Sequence, residues 1–145
     1  MTTVKTCLSQ KSGRLIHVSP EDSVQRALEL MKENRVRSVL ALEGDRLVGI
    51  ITQGDCAIRV LLPGLDARTT LVSQIMTRDP MTVKPGDPLE ACMGLMASRN
   101  FRHLPVLDEG RVVGVVSIGD IVKDMIRQLG DQVSFLETYI KGHGA

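Results

Sequence analysis

The 145-residue sequence is nearly devoid of aromatic side chains, with two Phe, one Tyr and no Trp. Nucleic-acid-binding surfaces combine a basic patch with stacking aromatics. With a net charge of +1 and no basic block, nucleic acid is not an expected partner. No apolar run reaches the length of a bilayer span, and Met1-Thr2-Thr3-Val4-Lys5 lacks the apolar core of a signal peptide. The expectation is a cytoplasmic protein with no membrane partner. Cysteine is scarce and odd in number: Cys7, Cys56 and Cys92 have no metal-ligand spacing and read as reduced, core-facing thiols. No Walker-type loop and no nucleophile–base pair stands out. The reading is therefore no enzyme, no catalytic residues, no metal and no catalytic cofactor. With so few aromatics, the core has to be built from Val, Ile, Leu and seven Met.

What the sequence does contain is a phrase written twice. Gly49-Ile50-Ile51-Thr52-Gln53-Gly54-Asp55 returns 65 residues later as Gly114-Val115-Val116-Ser117-Ile118-Gly119-Asp120. The β-branched pair reads as the end of a buried strand. The hydroxyl follows where a helix begins, an N-cap position, and the Asp three residues on completes a short capping box. Free N–H groups at such a turn suit an anion. Gly54 and Gly119 let a ligand approach the backbone.

The repeat extends well beyond the phrase. Leu15 to Asp55 aligns with Pro80 to Asp120 without a gap, and 12 of 41 positions are identical, among them Val18/Val83, Pro20/Pro85, Asp22/Asp87, Arg37/Arg102 and Arg46/Arg111. A match of this length predicts two structural units of one kind. Each unit starts with a short strand, Ile16 to Val18 or Met81 to Val83. Asp22 and Asp87 are then expected to cap a helix, with Pro88 at the first helical position of the second copy. Val24, Ala27, Leu28 and Met31 stripe one helix, and Leu89, Cys92, Met93 and Met96 the other. A hairpin follows: Ser38 to Leu42 with Arg46 to Ile51, and His103 to Leu107 with Arg111 to Val116. The phrase opens a second helix, striped by Cys56, Ala57, Val60 and Leu61 in copy one and by Ile121, Val122, Met125, Ile126 and Leu129 in copy two.

The predicted fold is α/β (α+β): two β-α-β-β-α repeats packed sheet to sheet around a pseudo-twofold axis, plus a C-terminal helix. Its divisions are a lead-in helix over 1–14, ended by Lys11-Ser12-Gly13; repeat one over 15–62; a linker and short helix over 63–79; repeat two over 80–129; and a C-terminal helix and tail over 130–145. Gly130 is expected to break the chain, and Asp131 to cap a last helix carrying Val133, Phe135, Leu136, Tyr139 and Ile140. That broad apolar face reads as a subunit contact.

These tandem units, with Ile75-Met76-Thr77, Arg102-His103-Leu104-Pro105-Val106 and Val115-Val116-Ser117-Ile118-Gly119-Asp120, resemble a cystathionine-β-synthase (CBS) domain pair, or Bateman module. The likeness runs from about Ile16 to Gln128 and extends to stand-alone bacterial CBS-pair proteins. It implies a non-enzymatic regulatory module that binds adenosine-containing ligands (AMP, ADP, ATP, NAD(H), sometimes S-adenosylmethionine) in clefts between the repeats. It further implies a homodimer that signals to an effector protein. Residue by residue, Asp55 and Asp120 would hold the ribose. Thr52, Ser117, Arg102 and His103 would face phosphate. Backbone around Thr82, Val83, Leu104, Pro105 and Val106, with Val18 as the copy-one counterpart of Val83, would hold adenine.

The copies differ at Leu40/Pro105, Ser38/His103 and Gln53/Ile118, which ranks Ser117 and Asp120 above Thr52 and Asp55. Strand alternation is expected to point Arg102 and His103 to opposite faces, so that one of them serves a given cleft. The competing reading is a structural or interaction module that dimerises and whose ligand site is vestigial, the Asp and hydroxyl pairs only capping helices.

Overall fold

The computed structural model describes residues 2–11 and 13–143, with side chains as far as residue 140. Met1, Ser12, Gly144 and Ala145 lie outside the described residues, and with them part of the Lys11-Ser12-Gly13 stop and the end of the tail. The elements are α1 (Val4–Ser9), β1 (His17–Val18), α2 (Val24–Asn34), β2 (Ser38–Glu43), β3 (Arg46–Thr52), α3 (Gln53–Cys56), α4 (Val72–Ile75), β4 (Thr77–Arg78), α5 (Leu89–Arg99), β5 (His103–Asp108), β6 (Arg111–Ser117) and α6 (Ile118–His143). A π-helical stretch, Ala57–Leu61, prolongs α3.

The predicted hairpins form as β2–β3 and β5–β6. Each carries a bulge at the same place, Ala41/Leu42 in one copy and Val106/Leu107 in the other. Parallel β1 joins β2, and the short β4 adds antiparallel to β3. In copy two the first strand shrinks to one bridge, Val83 to Val106. Proline explains the difference. Leu40 N–H donates to the Ile16 carbonyl at 3.3 Å in copy one. At the equivalent place Pro105 has no N–H to give to Met81. The strands β3 and β6 of the two units lie against each other.

Each unit has its own core. Val18, Val24, Ala27, Met31, Val39, Ile51 and Val60 fill the first, with Val72, Ile75 and Met76 from the α4 segment. Val83, Leu89, Cys92, Met96, Leu104, Val106, Val116 and Ile121 fill the second, with Val4 and Cys7 from α1. The short helix that precedes each repeat therefore packs into the other repeat. The docking bonds are the same on both sides. Val72 N–H donates to Asp22 C=O at 2.8 Å and Ser73 N–H to Pro20 C=O at 2.9 Å; Val4 N–H donates to Asp87 C=O at 2.9 Å and Lys5 N–H to Pro85 C=O at 2.8 Å. The first glycine of each repeated phrase makes room for the visitor. A Cβ on Gly49 would stand 2.5 Å from Met76 Sδ, and one on Gly114 would stand 2.9 Å from Leu8 Cδ2.

Several local expectations are corrected. Asp22 and Asp87 do not cap helices. Their carboxylates accept from Ser19 N–H at 2.9 Å and Lys84 N–H at 2.8 Å, folding back onto the preceding turns. Ser23 caps α2 instead, and Pro88 is the N-cap of α5, not its first helical residue. Of the stripe expected after the first phrase, Cys56 and Val60 are buried while Ala57 and Leu61 are exposed, and Met93 is exposed as well. On α6 only Ile121 of the predicted stripe is buried; Val122, Met125, Ile126 and Leu129 face outward. Gly130 does not break the chain and Asp131 does not start a helix, since α6 runs through both. A single glycine costs a helix about 1 kcal/mol, which long flanking turns absorb. Val133, Phe135, Leu136 and Ile140 extend the same exposed apolar surface. Among the described residues no helix is long and apolar enough to cross a membrane.

Candidate functional site

Both copies of the phrase form complete capping boxes. Asp55 N–H donates to Thr52 Oγ1 at 3.1 Å, and Thr52 N–H to Asp55 Oδ2 at 3.0 Å. Asp120 N–H donates to Ser117 Oγ at 3.1 Å, and Ser117 N–H to Asp120 Oδ2 at 2.9 Å. The first-turn N–H groups are less free than a bare helix start offers. Gln53 N–H also donates to Arg37 C=O at 3.1 Å, and Ile118 N–H to Arg102 C=O at 2.9 Å. The capping reading is therefore true as far as it goes, and any anion chemistry rests chiefly on side chains. A Cβ on Gly54 or Gly119 would meet nothing nearer than the cap hydroxyl at 3.6 Å. The fold itself does not require glycine there.

The surroundings of the two phrases differ. Thr52, Gln53, Gly54 and Asp55 line a cleft of about 470 Å³ together with Arg37, Ile50, Thr77, Pro80, Met81, Asn100, Phe101, Arg102 and His103. The equivalent arginines of the two repeats, Arg37 and Arg102, meet there. Arg102 and His103 share this one cleft, contrary to the alternation expected of them. Arg102 precedes β5 rather than belonging to it, so the two-residue period does not yet apply. Burial holds the His103 imidazole below its ordinary pKa against the pull of Asp120, and the positive charges of Lys11, Arg37 and Arg102 push the same way as burial.

Ser117 and Asp120 do not line this cleft. Lys11, just beyond α1, reaches them from the far end of the chain. Its Nζ donates to Asp120 Oδ2 at 2.8 Å and to Val115 C=O at 2.7 Å. Burial raises the Asp120 pKa, but the hydrogen bonds from Lys11 and Ser117 outweigh it and leave the carboxyl below its usual value. At Asp55 the nearest cation is Arg59, with Nε 4.0 Å from Oδ1.

None of the six residues assigned to adenine lines the cleft except by neighbourhood. Val18, Val83, Leu104, Pro105 and Val106 are buried in the cores. The main chain of Val83 is already committed, its N–H to Pro105 C=O at 3.0 Å and its C=O to Leu107 N–H at 2.9 Å. Thr82 lines a separate open depression with Asp45, Arg46, Asp79 and Leu107. Adjacent Met81 does line the cleft, and its C=O lacks the donor that Leu40 supplies to Ile16. The sequence reading did not select Met81, Phe101, Arg37 or Lys11. Arg37 carried one signal, its identity with Arg102 across the repeat. Lys11 carried none, since it lies outside the aligned segments.

A family model for the CBS domain matches the chain twice, over residues 11–61 and 72–127. The chain belongs to the CBS-domain family. It is 33% identical to the CBS domain-containing protein YhcV of Bacillus subtilis over 121 residues, which cover 83% of this chain and 84% of that one. A CBS-domain protein of Burkholderia ambifaria MC40-6 shares the fold at a TM-score of 0.84 and 38% identity, over 87% of this chain and 95% of that one. The fold also matches, at a TM-score of 0.74 and 24% identity over 82% of this chain and 89% of that one, the CBS domain protein PAE2072 of Pyrobaculum aerophilum, whose structure is a complex with AMP. The CBS pair here consists of the two units described above, each completed by the other's lead-in helix.

Proposed function

We propose that this CBS pair is a non-enzymatic regulatory module that holds an adenine nucleotide (AMP, ADP, ATP or NAD(H)) in the cleft at Thr52 and Asp55. One observation carries the reading: Arg37, Arg102 and His103 converge with a single carboxylate, Asp55, in a cleft between the two units. A guanidinium pair with an imidazole suits a phosphate, and a carboxylate suits a ribose diol. The capping roles leave capacity for both. A hydroxyl that accepts one bond can still donate, and a carboxylate offers about four lone-pair sites. Met81 lines the cleft, and its carbonyl, without the strand donor that Leu40 gives Ile16, is the acceptor this reading assigns to an exocyclic amine. AMP bound to PAE2072 supports the ligand class.

Ligand closure on groups from both units changes their relative tilt only by differential affinity for two arrangements. The exposed apolar face of α6 is the natural readout, as a homodimer surface or as the contact for an effector protein. The three buried free thiols fit a reducing, cytoplasmic setting. The interaction-module alternative is favoured by that same α6 face, and the two readings separate on ligand binding. Nucleotide-stripped protein is titrated calorimetrically with AMP, ATP and NADH. The sensor reading expects heat and a thermal shift, both lost in Asp55→Ala and weakened in Arg102→Ala. No response to any of the three leaves the interaction module.

A further inference from the structure

The two half-sites are equal in phrase and unequal in what reaches them. We propose that Lys11 is a tethered occupant of the second half-site, its ammonium closing Ser117 and Asp120 to nucleotide, so that each chain binds one nucleotide and binds it at Thr52 and Asp55. The inference deepens the nucleotide-binding reading and rests on it.

Three observations carry it. First, the Lys11 ammonium donates to Asp120 Oδ2 at 2.8 Å and to the Val115 carbonyl at 2.7 Å. It sits on Asp120 Oδ2, the oxygen already accepting from Ser117 N–H, so a ribose diol reaching for the remaining oxygen would have to share the carboxylate with a fixed ammonium. Second, the placement is built. Lys11 follows α1, which is fixed in the second core by Val4 and Cys7 and bonded to Asp87 and Pro85. The N-terminal segment is also tied to α6, Arg127 donating to Gln10 Oε1 at 3.1 Å and Gln128 to Thr2 Oγ1. An ammonium held by its own backbone has a high effective concentration at the carboxylate. Third, the first half-site has no equivalent. Counted from the shared docking bonds (Val4 with Val72), Lys11 corresponds to Asp79, a residue of opposite charge. The i+4 neighbours are exchanged in the same sense: Asp55 has Arg59 and Asp120 has Asp124. Asp124 engages the α6 cation Arg127 at 3.0 Å, and the cation at Asp120 comes from Lys11 instead.

The test uses the full chain stripped of nucleotide, with AMP as the probe. Stoichiometry is read by calorimetry and by native mass spectrometry, with circular dichroism to confirm folding. Wild type is expected to bind one AMP per chain. Lys11→Met, and Lys11→Gln as a second neutral variant, are expected to bind two, while Lys11→Arg stays at one. In the Lys11→Met/Asp55→Ala double variant one site is expected to remain, and it should disappear on adding Asp120→Ala. Two AMP per wild-type chain, or one per chain in both neutral variants, overturns the inference and leaves the Asp55 site standing. If Asp55→Ala leaves wild-type binding intact, the assignment of the first site fails, while the second equivalent gained on neutralising Lys11 still decides the role of that residue. Absence of AMP binding by wild type and variants alike overturns both.

Discussion

The exchange of lead-in helices makes a quantitative prediction at the first glycine of each phrase. A Cβ added to Gly49 would lie 2.5 Å from Met76 Sδ, 2.9 Å from Met76 Cγ and 3.0 Å from the Thr77 carbonyl oxygen. The sulfur can swing away, but the carbonyl belongs to the backbone of the β4 strand paired with β3, so the α4–β4 segment must shift as a body. Overpacking of this kind costs about 1–3 kcal/mol. With a Tm change of roughly 3 °C per kcal/mol at this chain length, Gly49→Ala is expected to lower Tm by about 6 °C. At Gly114 the obstacle is the Leu8 side chain alone, with Cδ2 at 2.9 Å. A rotamer change relieves it, and Gly114→Ala should cost about 1 kcal/mol or less. At Gly54 the nearest atom is 3.6 Å away and the residue is helical, so Gly54→Ala should be neutral or gain up to about 1 kcal/mol from helix propensity. The assays are thermal denaturation for Tm and urea denaturation for the free-energy change, both at one fixed protein concentration, since association would shift the midpoints. Met76→Ala in the Gly49→Ala background should return part of the loss, which a double-mutant cycle isolates. If Gly49→Ala is no worse than Gly54→Ala, the α4 segment does not hold the first unit together as described.

Three further outcomes follow from single features. His103 has its pKa lowered by burial, so the unfolded chain binds more protons as pH falls. The stability it contributes is present above the ordinary histidine pKa and is lost below it. Wild type should lose stability from about pH 7.5 to about pH 5.5, and His103→Gln should flatten that slope in denaturation curves. Burial pushes the Cys7 and Cys56 thiols up to about 11, with Asp120 and Asp124 adding to the effect at Cys7 and Asp55 at Cys56. Labelling by a thiol-disulfide reagent near neutral pH should therefore be slow in native protein and accelerate by orders of magnitude in denaturant. The outward face of α6 carries Ile126, Leu129, Phe135, Leu136 and Ile140, each more than half exposed. Ile126→Glu with Leu136→Glu should shift the chain to monomer in sedimentation velocity without lowering the helical signal, whereas a monomeric wild type would remove α6 as a self-association face.

The fold was legible because the chain repeats itself. The two hairpins follow from paired apolar runs around a polar turn that both copies keep, whereas their bulges at Ala41/Leu42 and Val106/Leu107 have no signal in that pattern. What could not be read were features carried by backbone geometry or by distance along the chain. The docking of α1 and α4 uses main-chain N–H groups of Val4, Lys5, Val72 and Ser73 and carbonyls of Asp87, Pro85, Asp22 and Pro20, which almost any sequence could supply. Asp22 and Asp87 match a cap pattern, but their carboxylates find an N–H three residues back before they reach the helix. Gly130 looks like a stop only if the helix is judged locally; α6 continues because one weak residue does not outweigh the turns on either side. The shrunken first strand of copy two was legible in principle, since Pro105 stands in the sequence. Seeing its effect required knowing that the missing N–H faced Met81 rather than solvent.

The candidate site follows the same logic. Ser117 and Asp120 rank first when each phrase is compared with its neighbours in sequence, because Leu104-Pro105-Val106 stands behind them. That comparison is blind to what arrives from elsewhere. The cap itself is common to both copies and spends the same atoms in each: one acceptor site on the hydroxyl and one oxygen of the carboxylate. At the carboxylate itself the halves diverge in the third partner. At Asp120 it is the Lys11 ammonium at 2.8 Å; at Asp55 it is Arg59 at the 4.0 Å edge of an ion pair, with a guanidinium nitrogen committed to the Ile75 carbonyl at 2.9 Å. Both third partners depend on the exchanged segments, Lys11 following α1 and Arg59 being anchored on α4. The segments that complete the two cores are therefore also the ones that set the charge beside the two Asp carboxylates, Lys11 at Asp120 and Arg59 at Asp55.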